Sequence, residues 1–255
     1  MSTAEESPQE TFISHLVELR SRLLKSIVAV LIVFLALAPF SKEIYSLVAR
    51  PLMHALPAGA TMIATDVTGT FLVPLKVTLL AAFLVALPWV LWQIWAFVAP
   101  GLYKHEQRLA LPLIVSSVVL FFAGMAFAYF VVFPWIFHFF VSFTPEGVQM
   151  MTDIDKYLSF VLWMFVAFGA TFEIPVVEVL LVRMGIVPLA KLKELRRYVI
   201  VGAFIVAAVI TPPDVVSQLM LAVPMCLLYE IGLVAAKFFP KPGDADEVAG
   251  DDVKA

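Results

Sequence analysis

Charge is scarce in this chain. Lys, Arg, Asp and Glu together make up 15% of its 255 residues, and apolar residues make up 62%. A soluble domain carries about 25% charged and roughly 45–50% apolar residues, so an ordinary water-soluble fold is excluded. Cysteine is almost absent. Cys226 stands alone, which rules out an internal disulfide, and it reads as a small buried hydrophobe. No internal repeat is visible, so the inverted-repeat architecture of many transporters has no support. The apolar residues do not alternate with period 2, which excludes a membrane β-barrel. Catalytic signatures are missing too: no H-E-x-x-H, no G-x-S-x-G, no phosphate-binding P-loop and no paired Cys/His spacing. His15, His54, His105 and His138 are scattered. The sequence implies no enzyme, no metal and no cofactor. A net charge of −3 gives no basic footprint for nucleic acid.

What is present is apolar sequence in long blocks. A hydrocarbon core of about 30 Å needs roughly 20 helical residues, and in lipid a helix satisfies all of its backbone polar groups internally. Six spans are predicted, at 23–40, 77–99, 109–133, 158–182, 198–210 and 215–239, in an all-α polytopic domain covering 1–240. The fifth is short. At about 1.5 Å per residue it covers only about 20 Å, so the bilayer thins there or water reaches its end. Of the seventeen Lys and Arg residues, only Lys42, Arg50, Lys76 and Lys156 fall in the segments placed outside when the N-terminus is inside. The positive-inside rule therefore puts both termini in the cytoplasm. The 241–255 tail is polar and acidic and reads as disordered.

The N-terminal leader, 7–22, is more than a tether. Ser7, Pro8 and Glu10 read as a capping box with Pro at the first helical position. Phe12, Leu16, Leu19 and Leu23 form an apolar stripe suited to a membrane surface or a neighbouring helix. His15, Glu18 and Arg22 share another face, where Glu18 and Arg22 alone read as an exposed i,i+4 pair. Ala36-Leu37-Ala38 resembles a signal-peptidase site, but the leader is long, it contains acids, and Pro39 follows directly; cleavage is not expected. Between the second and third spans, 100–108 form a short turn. Pro100 and Gly101 stop the helix, Trp92, Trp95, Phe97 and Tyr103 mark the headgroup level, and Lys104 and Arg108 flank Glu106.

The acids at membrane depth demand more explanation. Glu173 sits midway along the fourth span, where a charge costs about 2.5–3.5 kcal/mol on insertion scales. It is a functional candidate, with a hydrogen-bonded structural glutamate as the alternative. Pro175 should kink the helix beside it, and Gly169 and Ala170 allow close packing. Glu178 and Glu230 are expected to snorkel or to pair with Arg183 or Lys237. Asp214 is placed to N-cap the sixth span. With Thr211, Ser217 and Gln218 it forms a polar cluster able to hydrogen-bond across helices.

Five runs carry a family resemblance: Phe-Ile-Ser-His-Leu-Val-Glu-Leu-Arg-Ser-Arg-Leu at 12–23, Thr-Met-Ile-Ala-Thr-Asp-Val at 61–67, Trp-Ala-Phe-Val-Ala-Pro-Gly-Leu-Tyr-Lys-His-Glu at 95–106, Gly-Met-Ala-Phe-Ala-Tyr-Phe-Val-Val-Phe-Pro at 124–134, and Thr-Pro-Pro-Asp-Val at 211–215. In this order, and across about 12–239, the chain resembles the TatC family. The resemblance implies a cupped six-span fold that recognises twin-arginine signal peptides. It also implies export of folded proteins with TatB- and TatA-like single-span partners, driven by the proton-motive force, in the bacterial inner membrane. The resemblance makes Glu18 and Glu106 the recognition acids, with Phe97 beside them and His15, Arg20 and Lys104 completing the site. Glu173 matches an intramembrane glutamate linked to partner contact. Thr211, Asp214 and Gln218 fall in the partner-docking region, and self-association in a larger complex is expected. The chemistry suits the ligand, since guanidinium binds carboxylate bidentately and ammonium cannot copy that fork.

Two other classes compete. A proton-coupled transporter of a small solute would use Glu173 as its carrier. An intramembrane hydrolase would need a nucleophile–base pair or paired aspartates at membrane depth, and the spans offer neither.

Overall fold

A computed structural model describes residues 8–55, 62–98, 110–145, 151–211 and 213–238. Among them the regular structure is helical. In chain order the elements are α1 (Pro8–Leu37), α2 (Ser41–Ala55), α3 (Gly69–Val98), α4 (Ala110–Phe127), α5 (Phe133–Ser142), α6 (Ile154–Phe172), α7 (Ile174–Arg183), α8 (Leu189–Ile210) and α9 (Val215–Phe238).

Several of these are segments of one rod. A 3₁₀ turn at Ala38–Phe40 joins α1 to α2, with Pro39 in its first turn, where a missing N–H costs nothing. The first apolar rod therefore runs Ser14–Arg50, 37 residues, past the expected end at 40. A π turn at Ala128–Val132 joins α4 to α5. Pro134 lies just beyond it; its ring clashes with the carbonyl four residues back, and the helix widens there instead of breaking. The fourth apolar segment breaks at Glu173. This residue ends α6, and Pro175 stands in the first turn of α7. Gly185 closes α7 with a φ of 67°, and Ile186 N–H reaches back to Leu181 O at 3.1 Å, the left-handed stop that glycine adopts without a Cβ penalty.

Five helical segments among the described residues are long and apolar enough to cross a bilayer. α8 is not one of them. It is 22 residues long, about 33 Å at 1.5 Å per residue, so it is longer than the 198–210 span read from the sequence. Its first half carries Lys191, Lys193, Glu194, Arg196 and Arg197. The helix is long and its apolar stretch is short.

In lipid, helices are held together by close packing more than by apolar transfer. The core lies where α3, α5, α6 and α9 meet: Val73 and Val77, Phe133 and Phe137, Phe165 and Phe168, and Leu221 and Ala222. The rings of Phe133 and Phe165 stand edge to face at 5.2 Å, a preferred aromatic geometry. α4 approaches α6 through Gly124, where an added Cβ would strike the backbone carbonyl of Phe168. Gly169 does the same against the Phe121 ring, whereas its neighbour Ala170 is exposed. α1 packs chiefly against α3.

Two loops are clamped together at the end of the molecule away from the N-terminus of α1. Ile63 N–H donates to Thr152 O at 3.0 Å, and Ile154 N–H to Ile63 O at 2.9 Å. Asp153 N-caps α6, accepting from the backbone of Asp155 and Lys156. Its other oxygen accepts from Thr65 N–H at 3.1 Å and Thr65 Oγ1 at 2.6 Å. Lys76 Nζ pairs with Asp155 at 2.6 Å. These donors, led by the Thr65 hydroxyl, hold the Asp153 carboxyl at about 2, below the usual carboxylate range.

Candidate functional site

The leader and the end of α3 form one corner. Helix α1 continues unbroken from the leader into the apolar segment, so the register that puts its apolar residues in the membrane also fixes the face of His15, Glu18 and Arg22. The His15 imidazole stacks on the Phe97 ring, with centroids 4.2 Å apart and planes at 23°. This contact pins the leader to the last turn of α3. One turn on, Arg22 donates from Nε (2.8 Å) and from its terminal nitrogen (2.6 Å) to the same oxygen of Glu18, Oε1. Glu18 Oε2 faces His15 Nδ1 at 4.0 Å. The carboxylate thus has one oxygen doubly engaged and one open toward the His15–Phe97 stack. Arg20 is exposed on the same helix. Glu106 and Lys104 lie outside the described residues, as does Ser7 of the expected capping box. The Phe97 helix end leads directly into the segment that carries Glu106.

The intramembrane acids divide into three cases. Glu173 is half-buried at the α6/α7 break. Ser117 of α4 is its polar neighbour, yet neither Ser117 Oγ nor Glu173 Oε1 completes a hydrogen bond. Glu230 pairs with Arg196 of α8 at 2.7 Å, a partner that sequence proximity does not suggest. The reason is the antiparallel contact of α8 with α9, which sets a residue 34 positions away beside Glu230. Glu178 does not snorkel. It is 3% exposed, and both carboxylate oxygens lack hydrogen-bond partners. It lies where Gly232 of α9 leaves no room for a Cβ.

The hairpin between α8 and α9 carries its own polar cluster. Asp214 Oδ1 caps α9, accepting from Ser217 N–H at 2.7 Å, and Asp214 Oδ2 is left without a partner. Gln218 Nε2 crosses to Phe204 O of α8 at 3.2 Å. Thr211 turns back to Ala207 O of its own helix at 2.8 Å. None of these hydrogen bonds involves Glu173, so the hairpin cluster and the α6/α7 break are two separate polar features. Sequence reasoning missed Ser117. A serine in an apolar helix is ordinary, and only the packing of α4 on α6 marks it. It also left Arg22 outside the candidate site, although the i,i+4 spacing was the available signal. Among the described residues no cluster of three or more His, Cys, Asp or Glu side chains could hold a metal ion.

Comparison with known proteins identifies the family of the chain. The family model for "Sec-independent protein translocase protein (TatC)" matches residues 14–224. The TatC protein of Azotobacter chroococcum mcd 1 is 58% identical over 234 residues, covering 91% of this chain and 92% of its own length. That of Escherichia coli K12 is 53% identical over 234 residues, covering 92% and 91%. A crystal structure of the twin-arginine translocase receptor TatC aligns with a TM-score of 0.80 at 38% identity, over 88% of this chain and 98% of that one. The chain is a multi-pass membrane protein, and it belongs to the TatC family of Sec-independent protein translocase proteins.

Proposed function

We propose that this protein is the receptor and core subunit of a twin-arginine translocase, and that the corner formed by α1 and the end of α3 binds twin-arginine signal peptides on the cytoplasmic side of the bacterial inner membrane. One observation carries the reading. The His15–Phe97 stack holds the leader, with Glu18, against the end of α3, and the reading pairs Glu18 with Glu106, which follows nine residues after Phe97 in the chain. Adjacent arginines place two planar, permanently charged forks within reach of such a pair. Arg22 already models the contact, since Glu18 accepts two of its N–H groups on one oxygen. An incoming guanidinium takes the free Oε2, or displaces a surface i,i+4 pair that is worth only a few tenths of a kcal/mol. Arg20, exposed on α1, and Lys104, two residues before Glu106 in the chain, suit acids elsewhere on a cargo.

The partners in this reading are TatB- and TatA-like single-span proteins and further copies of this chain. The α8/α9 hairpin supports it. Gln218 spends one amide hydrogen on Phe204 and keeps its carbonyl for a partner; Asp214 caps the first turn of the same helix, and Thr211 ends α8. Glu173, at the α6/α7 break, offers a second polar contact. Six spans with both termini inside, with limits as read from the sequence, complete the proposed topology.

The test is the affinity of a twin-arginine signal peptide for the purified protein in nanodiscs, compared with Glu18→Ala and Glu106→Ala. Losing one charge-assisted hydrogen-bonded pair costs about 1.5–3 kcal/mol, roughly ten- to a hundredfold in affinity. Unchanged affinity in both variants would remove the site from this corner.

A further inference from the structure

Helix α1 carries an apolar face that the rest of the chain leaves uncovered, with Ile27, Leu31 and Leu35 among its exposed residues. Along the seam with α3 this face is indented by a groove of about 460 Å³. The floor is apolar: Leu24, Val28, Ala29 and Ile32 line it at helical spacing. The end nearer the α1 N-terminus is polar, where Ser21 and Lys25 enter the lining. Trp89 of α3 closes the opposite wall and is itself exposed.

Lys25 lies ten residues beyond His15, about 15 Å along the helix axis. At that height α3 exposes Trp89 and, one turn nearer its end, Trp92, indoles of the kind enriched toward membrane interfaces. Lys25 is exposed and forms no ion pair among the described residues, unlike Arg22 one turn earlier, which is spent on Glu18. A lone ammonium at the edge of the hydrocarbon draws an anion or snorkels toward one, and basic pockets between membrane helices bind anionic headgroups.

We propose that this groove holds one anionic phospholipid of the leaflet on the His15–Phe97 side. Its phosphate is bound by Lys25 and the Ser21 hydroxyl, and an acyl chain lies along Val28 and Ile32 under Trp89. The polarity of the groove runs in the same direction as that of a lipid, charge toward the surface and hydrocarbon toward the centre. A wholly apolar partner helix would leave Lys25 unmatched. The site is independent of the signal-peptide reading, because it uses neither Glu18 nor the Glu106 segment.

The probe is dioleoylphosphatidylglycerol, with dioleoylphosphatidylcholine as the neutral control, titrated onto the full chain in neutral detergent and read by native mass spectrometry. Phosphatidylglycerol should bind in preference. Lys25→Gln should weaken it about fivefold, the equivalent of about 1 kcal/mol for one lysine near an anionic surface. Lys25→Arg should retain it. Lys42→Gln, which removes the same charge from an exposed position beyond the far end of α1, should leave it unchanged. Brominated phosphatidylglycerol should also quench the fluorescence contributed by Trp89, taken as the difference from Trp89→Phe. Equal binding of the two lipids would overturn the proposal, as would equal losses in the Lys25 and Lys42 variants. Displacement of the lipid by a twin-arginine signal peptide would overturn it too, since the groove would then belong to the apolar segment of the peptide.

Discussion

At the scale of single residues, Glu173 separates the two functional readings of the protein. A glutamate at membrane depth is expensive to insert, so it must either carry a proton or make a polar contact. Its surroundings favour the contact: Ser117 is the polar neighbour, and Oε1 has spare capacity. Glu173→Gln keeps the acceptor and adds a donor but removes the titrating proton, whereas Glu173→Ala removes both. In a translocase that uses this group to bind a partner helix, export of a folded twin-arginine cargo should survive Glu173→Gln nearly intact. It should fall severalfold or more in Glu173→Ala, since an intramembrane side-chain hydrogen bond is worth about 0.6–2 kcal/mol. A proton-coupled solute transporter would lose activity equally in both, and export assays in cells report the difference. Most of these residues were legible in the sequence, because charge in an apolar run stands out. Ser117 and the partner of Glu230 were not. A serine carries no such contrast, and the Arg196–Glu230 pair depends on how two helices dock.

At the scale of elements, prolines and glycines set the shape. Pro134 and Pro175 each sit just past a distortion, a π turn in one case and a break in the other. The sequence marked Pro175 as a kink, but it could not say that Pro134 would widen its helix while leaving it continuous. That choice depends on how neighbouring helices satisfy the freed carbonyls. At Gly124, α4 approaches α6 with the Phe168 carbonyl in the space a side chain would need. Gly124→Val should therefore push the two helices apart and destabilise the fold by about 1–3 kcal/mol, the usual cost of overpacking. Thermal unfolding in detergent measures it, and Gly202→Val, with open space at its Cβ, is the matched control. The loop clamp makes a pH prediction. The Asp153 carboxyl sits at about 2 in the folded protein, below the ordinary value near 4. A depressed carboxylate contributes its stability in full above the unfolded value and loses it as pH falls through the folded one. Protection of the Ile63 and Ile154 amides, which close the clamp, measured against their intrinsic exchange rates, should hold at pH 4 and fall as pH approaches 2. Asp153→Asn should show fast exchange throughout. The 61–67 run shows no structural role in the sequence alone, because its partner lies some ninety residues away.

At the scale of the whole molecule, one geometric fact organises the account. The first rod is continuous from the leader to Arg50, and it leans on α3 so that the leader meets the end of that helix at the His15–Phe97 stack. The long, weakly buried rod carries the proposed peptide site at one end and the proposed lipid site a few turns along. The short apolar part of α8 beside α9 is the counterpart on the other side of the fold, where a thinner bilayer would bring partner helices to the polar hairpin. The broad plan was readable because composition, blocks of apolar sequence and family motifs agree. The continuity of the rod was not, since Pro39 looks like a terminator until the 3₁₀ turn absorbs it. The central claim is that two carboxylates at this corner read guanidinium geometry as well as positive charge. The most direct measurement is the affinity of one signal peptide in twin-arginine and twin-lysine forms for the same nanodisc sample. The account predicts that the twin-lysine form binds at least tenfold more weakly, and that Glu18→Ala erodes the discrimination. Equal binding of the two peptides would contradict it, because a site that accepts lysine as well as arginine senses charge alone.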